Sequence, residues 1–220
     1  MTGPPSARVA GPTCEELIHA LDDDVRIVFD LDGTLYDTRD FERPALAAVA
    51  NWLRDKSGLP LVGLTQRLWT RRESDRHRLG LFSDLLVEFG LPASWSGECL
   101  RQFHEHPAQE LSVAHSLRDC LAELRGSGRQ LALVSNGPER LQCRKIHALG
   151  LAEAFDLSII CGPELRDRQK PSPWAWTQLA HWRGALPTTY VGDDSVDRQF
   201  ADVGHARFLH FRFRSSVYEN

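Results

Sequence analysis

The sequence predicts an α/β protein in which a parallel β-sheet carries helices on both faces, giving three layers, α/β/α. Two observations indicate this fold class. Short strand-like runs alternate with helical segments along much of the chain, as in repeated βαβ units. In addition, over 100 residues without a strand-like run separate the first strand, which ends at Asp30, from the end of the second at Val134. A βαβ unit needs only about 30 residues, so the surplus predicts a helical insertion after the first strand.

The predicted strands are short runs rich in β-branched, aromatic or other apolar residues: Val25–Phe29, Gln130–Val134, Leu157–Cys161, Thr188–Val191 and Ala206–Leu209. The helices outside the insertion have apolar residues three and four positions apart: Cys14–Asp22, His115–Leu124, Pro138–Leu149, Pro173–Trp182 and Val196–Val203. The insertion contains four more segments with helical spacing: Ala45–Leu53, Leu61–Trp69, Leu81–Phe89 and Gly97–Phe103. Gly-Leu-Pro sequences at Gly58 and Gly90 separate these segments.

These elements predict three parts of the chain. Residues 1–24 are expected to form an N-terminal arm, rich in Gly, Pro and Ala up to Pro12, followed by a short helix. Residues 25–36 and 108–214 are expected to form the core domain that contains the sheet. Residues 37–107 are expected to form an inserted helical domain.

The composition excludes several classes of protein. With 42% hydrophobic residues the chain is not disordered as a whole, and its net charge of −4 provides no positive field for nucleic acid. The longest apolar runs, such as Leu131–Val134, have the length of strands, so no membrane span is expected. The five cysteines form no C-x-x-C pair, which predicts reduced thiols and a cytoplasmic protein. The oligomeric state stays open.

Polar side chains follow four of the predicted strands where each strand ends. They are Asp30-Leu31-Asp32-Gly33-Thr34, Ser135-Asn136-Gly137, Lys170-Pro171, and Gly192-Asp193-Asp194 with Asp197. Because the carboxyl ends of parallel strands meet at one edge of an open sheet, we expect these side chains to lie together. The sequence therefore predicts one site that combines several carboxylates with a hydroxyl and an ammonium group.

The chemistry of this set favours a phosphorylated substrate and a hard metal ion. Several neighbouring carboxylates stay ionised when a cation lies among them, and without Cys or His ligands the expected ion is Mg²⁺. Asp30 and Asp32 are two residues apart on an extended backbone, so both can face one substrate. Ser135, Lys170 and the helix start near Pro138 complete a cage for a tetrahedral dianion. Lysine occurs only three times against 23 arginines, which makes Lys170 stand out.

Each of these motifs taken alone has an ordinary explanation. Asp-x-Asp-Gly-Thr can be a turn after a strand, and Ser-Asn-Gly can cap a helix. A lysine is usually a solvated surface residue, and the acids at Asp193 and beyond can start a helix. All four in order, each at the end of a strand, are far more specific than any one of them.

Three other stretches are assigned no catalytic role. The arginine-rich Arg67–Arg78 is interpreted as a solvated helix face with ion pairs, in preference to an anion-binding surface. His104 and His106 are two positions apart and would not face each other on a helix. Phe211–Arg214 alternates in polarity, which is compatible with an edge strand.

The four motifs, in this order, resemble those of the haloacid dehalogenase-like (HAD) hydrolase superfamily, whose members are mostly phosphatases. The resemblance covers about residues 25–210 and implies a Rossmann-like core. The helical insertion directly after the first motif is similar to the small cap in the group of phosphoglycolate phosphatase, β-phosphoglucomutase and the pyrimidine nucleotidases. The resemblance is specific for the superfamily and leaves the phosphate ester open.

The resemblance also implies roles for individual residues. Asp30 would be the nucleophile that forms an aspartyl-phosphate, and Asp32 the general acid and then the general base. Ser135, with Asn136 beside it, and Lys170 would bind the transferring phosphoryl group. Mg²⁺ would be held by the Asp30 carboxylate, the Asp32 main-chain carbonyl and Asp193, with Asp197 or Asp194 in its outer shell.

Alternative functions on the same scaffold are a phosphomutase and a 2-haloacid dehalogenase. A dehalogenase needs no acid at the position of Asp32, whereas a phosphomutase does. A non-catalytic binding protein with this fold is a further alternative, which the presence of all motif residues disfavours. The expected partner is a small phosphorylated molecule, with neither nucleic acid nor membrane.

Overall fold

A five-stranded parallel sheet lies at the centre of this computed structural model. Its strands are β1 (Arg26–Phe29), β2 (Gln130–Asn136), β3 (Leu157–Cys161), β4 (Thr188–Gly192) and β5 (Arg207–His210). Their order across the sheet is β3-β2-β1-β4-β5, and every pairing is parallel. The chain order reverses on either side of β1, and ligands of open α/β sheets bind at the carboxyl ends of strands at such a reversal. The predicted fold class is confirmed.

The structure describes residues 14–21, 24–74, 80–109 and 111–213. The α-helices within these ranges are α1 (Cys14–Ala20), α2 (Arg39–Ser57), α3 (Leu64–Ser74), α4 (Leu81–Glu88), α5 (Ser96–Glu105), α6 (His115–Gly126), α7 (Glu139–Ala148), α8 (Trp174–Arg183) and α9 (Ser195–Val203). The expected arm at 1–12 lies outside the described residues. None of the helices in these ranges is long and apolar enough to cross a bilayer.

The chain divides into two compact units. One unit consists of the chain up to Asp37 together with the chain from Ser112 onward. The other unit is Thr38–Leu111. The sequence predicts the helical insertion over 37–107, so the second unit extends slightly further at its C-terminal side. It contains α2–α5, and its described residues include no strand.

Both faces of the sheet are buried at its central strand, β1. Successive residues of a strand point to opposite faces, and Ile27, Val28 and Phe29 of β1 are all fully buried. Val28 packs in an apolar cluster that includes Leu179 of α8 and Phe200 of α9. Cover on both faces of the sheet explains why residues 27–29 of β1 form a continuous apolar run instead of an alternating one.

Two local predictions differ from the structure near the carboxyl edge. Strand β2 continues two residues past Val134, because Ser135 and Asn136 pair with β3. Helix α7 then starts at Glu139, directly after Pro138.

The alternating pattern after β5 is compatible with an edge strand, but residues 211–213 are not a strand, and Arg214 lies outside the described residues. Its main chain nevertheless crosses the carboxyl edge. The N–H of Phe211 donates to the Gly192 carbonyl (2.9 Å), and that of Phe213 to the Gly33 carbonyl (3.0 Å).

The second unit has its own apolar core, formed by residues such as Leu46, Leu68 and Leu85. Three arginines of α3 are paired with acids on neighbouring helices. Arg67 and Arg71 both form ion pairs with Glu88, and Arg72 pairs with Glu42 (2.7 Å). These pairs agree with the interpretation of this stretch as a helix face with ion pairs, although residues 75–78 lie outside the described part of the chain.

Candidate active site

The ammonium group of Lys170 is the central contact at the carboxyl edge. Its Nζ donates to Asp30 Oδ1 (2.6 Å), to Asp197 Oδ1 (2.7 Å) and to the hydroxyl of Tyr190 (2.9 Å). The three protons of an ammonium group match these three acceptors. The Lys170 side chain is 3% exposed, so the charge is buried and fully compensated.

Burial and charge act in opposite directions on this group. Burial by itself lowers the pKa of Lys170, but Asp30, Tyr190 and Asp197 outweigh it and hold the pKa well above its usual value. The pKa of Asp30 is raised by burial and by the nearby carboxylates of Asp197 and Asp32, while Lys170 opposes the rise. Lys170 is therefore a permanent cation. A divalent ion beside Asp30 would further favour the ionised form of the Asp30 carboxyl group.

Asn136 positions the Lys170 main chain. Its Nδ2 donates to the Lys170 carbonyl (3.1 Å), and its Oδ1 accepts from the Lys170 N–H (2.8 Å). The side-chain amide of Asn136 therefore bonds to Lys170 through both its nitrogen and its oxygen, and ties the lysine loop to the end of β2. The expected contact of Asn136 with phosphate stays a prediction, because an amide nitrogen has a second proton to donate.

The carboxylate of Asp32 is surrounded by donors from α7 and from its own loop. Lys145 Nζ donates to Oδ1 (2.7 Å), as does the hydroxyl of Tyr36, and Gln142 Nε2 donates to Oδ2 (2.6 Å). Burial raises the pKa of Asp32, but Lys145 and these hydrogen bonds outweigh it and leave the pKa below its usual range. The Asp32 carboxylate thus forms an ion pair with Lys145, whereas Asp30 pairs with Lys170.

Ser135 lies next to the same donor. It is buried, and its Oγ is 2.7 Å from Gln142 Nε2. Gln142 therefore touches both the serine and the aspartate that were expected to act on the phosphoryl group and on the leaving group.

The three acids that follow β4 have distinct contacts. Asp194 caps α9 by accepting from the N–H of Asp197 (2.9 Å). Asp197 is buried, and its Oδ1 faces Lys170 while its Oδ2 accepts from the N–H of Asp193 (3.1 Å). The Asp193 carboxylate is 3% exposed and forms an ion pair with Arg212, whose Nη2 and Nε lie 2.7 and 2.9 Å from Oδ2.

A divalent ion fits one cluster of carboxylates at this edge. Oxygens of Asp30, Asp193 and Asp197 lie within 4.8 Å of one another. An all-oxygen donor set suits a hard cation. The carboxylate of Asp32 is not part of this cluster, and the role of its main-chain carbonyl as a metal ligand remains what the family resemblance implies.

The protein also supplies cations to these acids. From the sequence, a metal ion is expected because neighbouring carboxylates stay ionised only with a cation among them. In the structure, Lys170, Lys145 and Arg212 each form an ion pair with one or more of these carboxylates. The presence of the acids alone therefore does not require a metal.

Gly33 is needed where the first motif approaches the fourth. Its φ is +91°, and a Cβ built there would lie 2.5 Å from Asp193 Oδ2. A side chain would meet the carboxylate and would also be strained in this left-handed conformation. The Asp-Gly step thus lets the first motif lie against Asp193.

Sequence reasoning missed five residues of this site: Tyr36, Gln142, Lys145, Tyr190 and Arg212. Lys145 carried a usable signal, because it is one of only three lysines in an arginine-rich chain. Arg212 lies in a segment that was noticed and given no function. The tyrosines and Gln142 have no signal in a single sequence, since nothing in their spacing separates them from core or helix-surface residues.

Comparison with known proteins identifies the family. A family model described as haloacid dehalogenase-like hydrolase matches residues 26–202. The chain therefore belongs to the haloacid dehalogenase-like hydrolase family, which confirms the resemblance of its four motifs.

Similar curated proteins include bacterial phosphoglycolate phosphatases. That of Pseudomonas putida is 30% identical over 189 residues, a match that covers 80% of this chain and 64% of that enzyme. The chain thus spans slightly less than two thirds of the length of that relative. The enzyme of Cereibacter sphaeroides is 28% identical over 201 residues, which cover 84% of each protein. These relatives agree with the expected class, a phosphatase.

Solved structures share the fold at lower identity. A HAD-superfamily hydrolase, subfamily IA, variant 1, from Geobacter sulfurreducens superposes with a TM-score of 0.62 at 20% identity, covering 84% of this chain and 85% of that one. The L-2-haloacid dehalogenase of Xanthobacter autotrophicus gives 0.54 at 20% identity, covering 88% and 79%. These likenesses show that the chain shares its fold with both proteins.

Replacing Gly33 by alanine should damage the site beyond the backbone strain it introduces. The left-handed conformation costs an L-residue about 1–2 kcal/mol, and the Cβ would additionally displace the Asp193 carboxylate. Gly128→Ala is the matched control, since φ is +85° there and a Cβ would meet no atom within 4 Å. Thermal unfolding and isothermal titration with a divalent ion should show a larger loss of both stability and metal affinity in Gly33→Ala. Equal behaviour of the two variants would contradict the contact.

Arg212→Gln should raise the affinity for divalent ions several-fold. Arg212 binds the Asp193 carboxylate, which is also part of the cluster that could hold a metal ion, so removing the guanidinium removes a competitor. Arg207→Gln serves as control, because Arg207 pairs with Asp24. Calorimetric titration of Mg²⁺ or Mn²⁺ measures the change. Weaker binding in Arg212→Gln would instead show that Arg212 holds Asp193 in place for the metal.

Proposed function

We propose that the chain is a Mg²⁺-dependent phosphatase that hydrolyses a small phosphate monoester through an aspartyl-phosphate on Asp30. The observation that carries this proposal is the meeting of Asp30, Ser135, Lys170 and Asp193 at one edge of the sheet, in a member of the HAD hydrolase family. The names of the bacterial relatives support a phosphorylated metabolite as substrate and place phosphoglycolate first among the esters to be tested.

In the first step the Asp30 carboxylate attacks phosphorus, so that an O–P bond to Asp30 forms while the bond to the leaving oxygen breaks. Asp32 must be protonated for this step, although its pKa lies below the usual value in the free protein, and it gives its proton to that oxygen as it leaves. Ser135 donates its hydroxyl to a phosphoryl oxygen, and Lys170 keeps positive charge beside the reacting group.

In the second step Asp32 takes a proton from water, and the oxygen of that water attacks phosphorus. The bond to Asp30 breaks, which releases inorganic phosphate and restores the carboxylate. Asp30 and Asp193 would hold Mg²⁺, which when bound polarises the phosphoryl group and neutralises developing charge. Asp197 has both oxygens engaged by Lys170, Tyr190 and the Asp193 N–H, which fits a role in orienting these groups.

A panel of phosphorylated metabolites should give release of inorganic phosphate in the presence of Mg²⁺ and none in EDTA. Thermal unfolding in EDTA checks that the protein stays folded. Transfer of the phosphoryl group to a second sugar hydroxyl would indicate a phosphomutase, and full turnover in chelator would refute the metal requirement.

Two neighbouring acids should respond differently to the same substitution. Asp193→Asn should weaken Mg²⁺ binding and turnover, because it removes a charged ligand from the carboxylate cluster. Asp194→Asn should keep both, because its side chain caps α9 and asparagine is as good a cap as aspartate. Metal titration and initial rates measure the pair, and loss of metal affinity in Asp194→Asn would reverse the assignment.

Substitution of the two acids of the first motif should impair catalysis at different steps. Asp30→Asn should abolish turnover and form no covalent intermediate, because it removes the nucleophile. Asp32→Asn should slow turnover by roughly 10²–10⁴-fold, the usual loss for a general acid or base. The loss should be smallest with p-nitrophenyl phosphate, whose leaving group needs no proton. Mass spectrometry of the trapped phosphoenzyme locates the phosphate, and a phosphate on Asp32 would overturn the roles.

A further inference from the structure

A second buried lysine lies at the site without a part in the mechanism above. Lys145 is 6% exposed, and its Nζ lies 2.7 Å from Asp32 Oδ1. Gln142, which is 1% exposed, lies one helical turn earlier on α7, so both side chains leave the same face of that helix. That face is directed at the carboxylate expected to act as general acid and base.

The two residues fix both oxygens of that carboxylate. Lys145 holds Oδ1, and Gln142 Nε2 holds Oδ2 at 2.6 Å. The same Gln142 nitrogen lies 2.7 Å from Ser135 Oγ. One amide group therefore sets the distance between the expected proton donor and the hydroxyl expected to bind the phosphoryl group.

Composition argues against an incidental ion pair. The chain uses arginine for 23 of its 26 basic residues, yet two of its three lysines, Lys145 and Lys170, are buried against the two aspartates of the first motif. A buried ion pair contributes little to stability on average, because desolvation offsets the attraction. A lysine presents a compact charge on a long stem, which suits contact with a single oxygen at the end of a narrow path.

We propose that Lys145 and Gln142 are positioning residues that hold the Asp32 carboxylate beside Ser135, in the orientation needed to protonate the leaving oxygen. This inference rests on the phosphatase function proposed above. Lys145 and Gln142 act through Asp32 and need not touch the substrate. Loss of either residue leaves Asp32 present but held by fewer contacts, those of Tyr36 and of the remaining partner, so that its orientation toward the leaving group is less fixed.

The decisive experiment is a double-mutant cycle between Lys145 and Asp32, with kcat/KM as the readout. The single variants Lys145→Met and Asp32→Asn are compared with the double variant, using the best alkyl phosphate of the panel and p-nitrophenyl phosphate. The value of kcat/KM reports steps up to formation of the phosphoenzyme, so it isolates the proton given to the leaving group.

If Lys145 acts through Asp32, Lys145→Met should lower kcat/KM for the alkyl ester by about 10–100-fold. This loss is smaller than the roughly 10²–10⁴-fold loss expected when the general acid itself is removed. The loss with p-nitrophenyl phosphate should be several times smaller. In the Asp32→Asn background, Lys145→Met should cause no further loss. Additive losses, or equal losses for both esters, would overturn the proposal.

Two further variants make the result interpretable. Arg140→Met removes an exposed cation from the same helix and should leave both esters unaffected. Thermal unfolding checks that each variant is folded, and if Lys145→Met is not, Gln142→Leu takes its place in the same cycle. If the wild-type enzyme hydrolyses no ester of the panel, the proposed phosphatase function is refuted. If the wild type is active but the losses of the two single variants add up in the double variant, only the positioning role is refuted.

Discussion

The buried ammonium group of Lys170 is the contact on which the carboxyl edge of the sheet depends. An unpaired charge at 3% exposure would be strongly unfavourable, so Asp30, Asp197 and Tyr190 must all be in place around it. These partners come from the end of β1, from α9 and from within β4. Asn136, at the end of β2, holds the main chain of the same lysine. Through its side chain and its main chain, Lys170 thus connects the ends of three neighbouring strands where chemistry is expected.

The fold and the four motifs could be predicted because their signals are local. Each strand is a short apolar run, and each motif follows a strand directly, so topology alone brings the motifs together. The contacts of Lys145, Gln142 and Arg212 could not be predicted in this way. They arise from which face of α7 meets the sheet edge and from where the chain goes after β5, and both depend on packing between distant segments.

Asn136 shows that the position of a residue can be predicted from the sequence while the contacts of its side chain cannot. The sequence places it correctly at the end of β2, next to Ser135, and an anion-binding role is the natural expectation there. Its side-chain amide also bonds to the Lys170 main chain, through both its nitrogen and its oxygen. Adjacent residues at a strand end point to opposite faces of the sheet, so Ser135 and Asn136 meet different neighbours, and a motif does not assign one role to all of its members.

The long sequence separations of these contacts have a consequence during synthesis. Asp30 lies 140 residues before Lys170, an interval of about 7–28 s at roughly 5–20 residues per second. Asp32 similarly precedes Lys145 by 113 residues. On the ribosome, the acidic loop after β1 therefore emerges long before its basic partners exist. The nascent chain must keep this loop solvated or bound to free cations until α7 and the lysine loop have been made.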